Sequence, residues 1–151
     1  RRLKLEKNLT VVAADLLKWN NKIKYNKIIL DVPCSATGTA RKNPDVLWNK
    51  KEEDIERLAK IQKKMLYKSI TFLNQKGILI YCNCSLQYEE GEKVIDSLIK
   101  ENKVKILPIK PEELKLFPKK IFNKGLIRTL PYMYNNVSGL DGFFIARLIK
   151  I

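Results

Sequence analysis

Histidine is absent from the 151 residues of this sequence. Its absence excludes Ser-His-Asp and Cys-His nucleophile pairs, histidine metal sites and histidine general bases within the chain. Apolar runs are only a few residues long, as at 28–30 and 78–80, whereas a membrane helix needs about 20 residues. The sequence opens at Arg1 in a pattern typical of a helix, with neither an initiator methionine nor an apolar signal region. We therefore expect no membrane span and a piece of a longer protein.

Cysteine is scarce, and Cys34, Cys82 and Cys84 are the three that occur. An odd number of cysteines without a signal peptide is typical of reduced thiols inside the cell. Three thiolates without histidine need a fourth ligand to hold zinc, and Cys-x-Cys alone is weak metal spacing. We expect no metal site, and a disulfide between Cys82 and Cys84 would be strained.

Positive charge is in excess, because 30 Lys and Arg residues against 16 Asp and Glu residues give a net charge of +14. Such a balance favours a nucleic-acid partner, since a basic surface releases counterions from phosphates. The alternative is compositional drift, since lysine, isoleucine and asparagine are all abundant. With 45% hydrophobic and 30% charged residues, the composition is that of a globular domain.

Hydrophobic patterning predicts strands that alternate with helices, which is typical of an α/β fold with a mostly parallel sheet. The expected strands cover residues 9–14, 27–31, 78–82, 104–107 and 142–149, and the expected helices cover 51–73 and 89–101. Residues 16–27 could form a short helix or a loop, and 32–47 should be irregular. Gly77 suits the left-handed position after the longer helix.

Polar residues occupy three of the predicted strand ends: Asp15, Asp31 and the pair Cys82 and Cys84. Ligands of parallel sheets bind beyond the carboxyl ends of the strands. We therefore expect these residues to lie along one rim of the sheet. Asp15 could either bind a ligand or cap a helix.

Two cysteines follow these strand ends in contexts that suit chemistry. Pro33 makes the turn before Cys34 rigid, which favours a functional thiol, although a free cysteine is often a small core residue. Cys84 precedes a predicted helix, whose amide dipoles would stabilise a thiolate.

Two segments combine cations with aromatic side chains, which suits phosphate contact and base stacking. The first contains Arg41, Lys42 and Trp48, and the second begins at Arg128. Packing is the alternative for both segments, since Trp48 could equally lie against the long helix.

Four motifs occur in a fixed order along the chain. They are Asp-Val-Pro-Cys-Ser at 31–35 followed by Ala-Thr-Gly, Arg-Lys-Asn-Pro-Asp at 41–45 followed by Trp48, Asn-Cys-Ser at 83–85 followed by Glu89, Glu90 and Glu92, and Asp-Gly-Phe-Phe-Ile-Ala at 141–146 preceded by Arg128 and Pro131. Together they resemble the RNA (cytosine-5) methyltransferases, in particular the bacterial 16S ribosomal RNA enzymes of the Sun/Fmu, RsmB-like group. Asn83 stands where the family usually has threonine, and Cys82 is an additional thiol.

The resemblance implies a Rossmann-like class I S-adenosylmethionine-dependent methyltransferase fold, with helices on both faces of the sheet and an antiparallel C-terminal strand. It implies that Cys84 is the nucleophile, that Cys34 assists product release and that Asp31 binds the cytosine. DNA cytosine-5 enzymes use a Pro-Cys after the same strand, so Cys34 is the alternative nucleophile. Asp15, Asp31 and Pro33 would contact the cofactor S-adenosylmethionine.

Residues 1–151 would then be the C-terminal part of a single catalytic domain, truncated after the family's Gly-rich cofactor loop. The expected activity is methylation of carbon 5 of a cytosine in RNA by a monomeric, cytoplasmic protein. Ala-Thr-Gly at 36–38 favours 16S ribosomal RNA, with transfer RNA open, and the RNA contacts would come from Arg41, Lys42, Trp48 and Arg128. The alternatives are a non-catalytic basic RNA-binding fragment and an amino-group methyltransferase, which the strand-end motif disfavours.

Overall fold

A computed structural model describes residues 9–115, 117, 119–134 and 139–151. The strands are β1 Tyr25–Asp31, β2 Leu73–Asn83, β3 Val104–Ile106, β4 Phe122–Asn123, β5 Leu126–Thr129 and β6 Phe143–Lys150, and the helices are α1 Glu52–Thr71 and α2 Glu92–Lys100. The predicted α/β class and long first helix are confirmed. The second helix begins later than expected, because 88–90 form a separate 3₁₀ turn.

One sheet contains all the described strands, in the order β1-β2-β6-β5-β4, with β3 also paired to β6. β1 and β2 are parallel and are joined by α1, whereas the other pairings are antiparallel. The antiparallel C-terminal strand is therefore confirmed. The expectation of a mostly parallel sheet is wrong for the described strands, because β6 pairs in the antiparallel sense with each of its three neighbours.

The main core lies on one face of this sheet, under both helices. Alternate residues of the central strands point to that face, as the period of two in a strand requires. They pack against apolar side chains of α1 and α2; the buried members include Leu30, Leu66, Leu79, Tyr81, Ile95, Leu98, Phe144 and Leu148. A smaller cluster of Ile121, Ile127 and Met133 also packs against Ile145, which alternates with the main-core residues of β6. The expected helices on both faces are thus not found in the described part, where both helices cover the same face.

The first predicted strand is wrong. Residues 9–14 have no regular structure, and Leu9, Val11 and Val12 are exposed. No described strand pairs with this segment, and an unpaired strand leaves its backbone hydrogen-bonding groups unsatisfied. The apolar character that suggested a buried strand therefore finds no partner within the described part of the chain.

The backbone after α1 also differs from the prediction at one position. Lys76, and not Gly77, has a positive φ of 59°. A bulge lies here, because Tyr25 pairs with Leu73 while the next pairing joins Lys27 to Ile78. Gly77 matters for space instead, since a Cβ there would lie 2.8 Å from the carbonyl oxygen of Asn74.

The hairpin of β4 and β5 was not predicted. Its turn residues Lys124 and Gly125 have φ values of 49° and 82°, as a type I′ turn requires. The sequence signal was Asn-Lys-Gly at 123–125 between two apolar pairs. Among the described helices, none is both long and apolar enough to cross a membrane.

We predict that Leu66→Ala lowers the free energy of unfolding by about 2–5 kcal/mol, because it empties a fully buried core position. Leu66 is 0% exposed, whereas Leu47 is 60% exposed and Leu47→Ala is the matched control. Urea unfolding with an unchanged slope would report the difference as a shift in midpoint. Equal midpoint shifts for the two variants would contradict this description of the core.

Candidate active site

The two loops that carry Cys34 and Cys84 follow neighbouring parallel strands. Asp31, the last residue of β1, is paired with Cys82 near the end of β2. The loops then stay together, because the amide of Val32 donates to the carbonyl of Cys82 over 3.2 Å and the amide of Gly38 donates to that of Cys84 over 2.9 Å. The expected meeting of Asp31 and both cysteine segments at one rim is confirmed.

The sulfur atoms of Cys34 and Cys84 lie 3.4 Å apart. All three cysteines are free and half-buried. Burial, together with the neighbouring Cys84, raises the pKa of Cys34 to about 12. Burial and the nearby carboxylate of Asp31 raise the pKa of Cys82 to about 11. Cys34 therefore stays protonated near neutral pH, and either sulfur can be the donor in the contact between the two thiols.

A close backbone crossing fixes the Cys34 loop against the start of β6. The amide of Gly142 donates to the carbonyl of Gly38 over 2.7 Å. A Cβ on Gly38 would lie 2.1 Å from the carbonyl oxygen of Gly142 and 2.7 Å from that of Cys84. Ala36 has a φ of 59°, a conformation that costs a non-glycine residue about 1–2 kcal/mol. The loop thus holds a strained backbone between two neighbours that leave no room for a side chain.

A buried carboxylate lies between the two cysteine loops. Glu90 is 0% exposed, and Oε1 accepts from the amide of Ser35 over 2.9 Å. Its Oε2 accepts from the hydroxyls of Ser35 and Ser85, each over 2.5 Å. The fourth donor is the side-chain amide of Gln62, which reaches Oε1 over 2.9 Å.

The backbone of Glu90 is held as firmly as its side chain. Its carbonyl accepts from the hydroxyl of Tyr81 over 2.7 Å and from the amide of Asn83 over 2.8 Å. Gln62, on α1, also donates to the carbonyl of Pro33 over 2.9 Å. Sequence reasoning assigned no role to Glu90 or Gln62, since charged and polar residues are expected at the surface. The signal available was only that Glu90 belongs to the motif after Asn-Cys-Ser.

Arg128 points into the protein. Its guanidinium pairs with Glu92 over 2.5 Å and donates to the carbonyl of Ser85 over 2.6 Å. It also lies 4.6 Å from the ring centroid of Phe144, a cation–π geometry. The side chain is 14% exposed. These contacts favour the structural alternative for Arg128, as a clamp on the loop that follows Cys84.

Arg41, Lys42 and Trp48 lie at the surface after the Cys34 loop. Lys42 pairs with Asp141 over 2.7 Å, Arg41 lies 3.7 Å from the same carboxylate, and Trp48 is 86% exposed. The Lys42 hydrogen bond holds the pKa of the Asp141 carboxyl below its ordinary value. Trp48 does not pack against α1, so its ring is open to a ligand.

Asp15 lies away from the rim, contrary to expectation. Its carboxylate accepts from the amide of Leu17 over 2.9 Å and caps a turn. In that turn Leu17 lines a cavity with Thr71 and Lys150, and Trp19 contacts Phe72. These partners mark the end of the sheet opposite to Cys84. Because 9–14 form no strand, no described strand carries Asp15 to the carboxyl edge.

One further expectation fails at the site. α2 begins only at Glu92, so Cys84 does not directly precede this helix. Asp31 is exposed at the rim, and the carbonyl of Pro33 accepts from Gln62. The cofactor contacts expected of Asp31 and Pro33 stay predictions.

A family model and individual relatives of known name all point to rRNA methyltransferases. The model of the family described as 16S rRNA methyltransferase RsmB/F matches residues 1–149. A mouse 28S rRNA (cytosine-C(5))-methyltransferase is 37% identical over 134 residues, which are 83% of this chain and 17% of the relative. The ribosomal RNA small subunit methyltransferase B of Photorhabdus laumondii is 33% identical, over 87% of this chain and 28% of its own length.

Solved structures show the same fold. NSun6 from Pyrococcus horikoshii, crystallised with SFG, has a TM-score of 0.77 and 31% identity over 95% of this chain and 35% of its own. A methyltransferase homologue from the same organism has a TM-score of 0.63 and 28% identity over 85% of this chain and 40% of its own. The Rossmann-like methyltransferase fold is confirmed. The chain spans less than a third of the two rRNA methyltransferases above.

The raised pKa values of Cys34 and Cys82 predict unusual alkylation by iodoacetamide. Because only the thiolate reacts, the rate should keep rising with pH to about pH 12 at Cys34 and to about pH 11 at Cys82. Peptide mass spectrometry at each pH measures them separately, and the urea-unfolded chain is the control, in which both should level near an ordinary thiol pKa of about 8.5. Levelling at that ordinary value in the folded chain would refute the buried environment described for the two thiols.

Proposed function

Because the chain belongs to the 16S rRNA methyltransferase RsmB/F family, we propose that it is the C-terminal part of a catalytic domain that methylates carbon 5 of a cytosine in ribosomal RNA. One observation carries the proposal. Two free thiols lie 3.4 Å apart beside an exposed carboxylate, at the carboxyl ends of two parallel strands. This is the place where α/β folds bind their ligands.

Cys84 is proposed as the nucleophile. Carbon 5 of cytosine attacks a methyl donor poorly until a thiolate adds to carbon 6, which moves the electron pair of the double bond towards carbon 5. Cys34 is unsuited to that addition, because its pKa of about 12 keeps it protonated at neutral pH. The Asn-Cys-Ser motif at 83–85 also supports Cys84 over the alternative nucleophile.

Cys34 is proposed to assist product release. Once carbon 5 is methylated, a solvent water accepts its proton, the electron pair of that C–H bond restores the ring double bond, and the bond between carbon 6 and the sulfur of Cys84 breaks. The expelled sulfur carries the electron pair of the broken bond as a thiolate. The thiol of Cys34, 3.4 Å away, donates a hydrogen bond to that thiolate and makes it a better leaving group.

Asp31 is proposed to orient the base. Its carboxylate is exposed at the rim and can accept from the exocyclic amino group of cytosine. The base must leave any stack to reach the thiols, so single-stranded or looped RNA is the expected substrate. Trp48, with Arg41 and Lys42, offers stacking and phosphate contacts close to the Cys34 loop.

S-adenosylmethionine is the proposed methyl donor. The family and a structural neighbour solved with its analogue SFG support this. The described residues supply Asp31 towards such a site, while Asp15 lies at the other end of the sheet. We propose further that the protein is a cytoplasmic monomer that uses no metal.

Cysteine variants of the full chain test which thiol is the nucleophile and which assists release. With substrate RNA and cofactor present, Cys84→Ala should abolish the covalent protein–RNA band on a denaturing gel. Cys34→Ala should instead accumulate that band on unmodified RNA, because release is impaired while addition is retained. RNA carrying 5-fluorocytidine should trap the wild type, since it lacks the carbon 5 proton that release requires.

Cys82→Ala is the matched control, because it removes a thiol outside the proposed pair and should behave as wild type in this gel assay. The assignment is reversed if Cys84→Ala still forms the adduct and Cys34→Ala does not. An adduct in neither wild type nor variant, with any RNA, would argue against the cytosine-5 mechanism itself.

The second candidate function is RNA binding without turnover by residues 1–151 alone, and the position of Asp15 favours it. We expect no tight S-adenosylmethionine binding by this stretch, because its described residues leave the expected cofactor contacts apart. Isothermal titration calorimetry is the measurement, with a full-length methyltransferase of the same family as positive control. A dissociation constant of about 1 μM for the 151 residues, which is about −8 kcal/mol of binding free energy, would show that they form a working cofactor site.

A further inference from the structure

Glu90 is a buried carboxylate for which the proposed reaction has no use. We propose that Glu90 is a positioning residue that sets the separation of the Cys34 and Cys84 thiols by binding the two serines that follow them. The catalytic role of this positioning rests on the proposed function. The hydrogen bonds that produce it are present in this chain whatever reaction it catalyses.

The geometry is nearly symmetrical about the carboxylate. Ser35 is covalently next to Cys34, and Ser85 is next to Cys84. Both hydroxyls donate to the same oxygen, Oε2, over 2.5 Å each, and the two hydroxyl oxygens are 3.0 Å apart. One acceptor atom therefore fixes the two residues that adjoin the thiols.

Three residues on two other elements hold Glu90 itself in place. Gln62 of α1 binds Oε1, while Tyr81 and Asn83 of β2 bind the carbonyl of the same residue. Asn83 also accepts from the amide of Ser85 over 3.0 Å. These contacts fix Glu90 to α1 and β2. Its hydrogen bonds to the two serines then fix both cysteine loops to the same elements.

A charged acceptor is needed for this task. A carboxylate accepts at both oxygens and has no hydrogen to donate, so four donors can converge on it without conflict. Charge-assisted hydrogen bonds are roughly twice as strong as neutral ones, and buried unpaired donors are costly. An amide at the same position must turn a donor towards the serine hydroxyls or towards Ser35 N–H and Gln62.

The test is Glu90→Gln, which keeps the shape and removes the charge, in the 151-residue chain. We expect the ratio of iodoacetamide alkylation rates at Cys84 and Cys34 to change by about tenfold or more, as the loss of charge-assisted hydrogen bonds predicts. Cys82 is the internal control, since its thiol donates to the carbonyl of Leu30 on β1 and neither serine that binds the carboxylate adjoins it. Glu89→Gln is the matched variant and should leave all three rates unchanged.

An unchanged ratio in folded Glu90→Gln, with Cys82 also unchanged, overturns the proposal. If Glu90→Gln unfolds, circular dichroism and a fast Cys82 will show it, and the double variant Ser35→Ala/Ser85→Ala then decides. That variant should shift the ratio with Cys82 protected, and a ratio like wild type would overturn the proposal equally. Because no RNA is present, failure of the proposed methylation does not affect this outcome, and the adduct assay separates the two.

Discussion

The parallel register of β1 and β2 is the constraint on which the thiol pair depends. Asp31 lies opposite Cys82, so the chains leave both strands at the same height. A slip by one residue would turn every side chain of a strand to the opposite face. Leu79 and Tyr81 would then leave the core beneath α1 and α2. Burial of one face thus fixes the register, and the register brings the two cysteine loops within hydrogen-bonding reach.

Beyond the strand ends, polar contacts replace apolar packing as the source of order. The loops contain Ser35, Thr37 and Ser85, all buried, and these hydroxyls must find partners because unpaired buried polar groups are costly. Their network converges on a carboxylate that itself requires donors. Such a network is rigid when complete and loses much of its stabilisation when one member is removed. The network that places the cysteine loops precisely at the rim is therefore also sensitive to substitution of its members.

Sequence patterning predicted the elements whose apolar faces meet partners within the described chain. The strand at 27–31 and helix α1 are examples, and so is β6. It failed at 9–14, where apolar residues lack a neighbouring strand, and consequently at Asp15. The hairpin at 122–129 was missed because its strands are short. At the site, motif order identified Cys34 and Cys84, but tertiary contacts alone reveal the burial of Glu90.

The positions of the basic side chains were also not predictable from the sequence. A net charge of +14 predicts an RNA-binding surface, yet the guanidinium of Arg128 donates its hydrogen bonds to Glu92 and Ser85. Arg41 and Lys42 meet Asp141, a residue beside the Gly142 crossing. A sequence does not tell which cation turns inward, because lysine and arginine reach far from their backbone. The cations nearest the site, Arg41, Lys42 and Arg128, therefore stabilise the loops that hold the thiols. Family membership and the short distance between the two sulfur atoms, rather than the net charge, support a reaction on RNA.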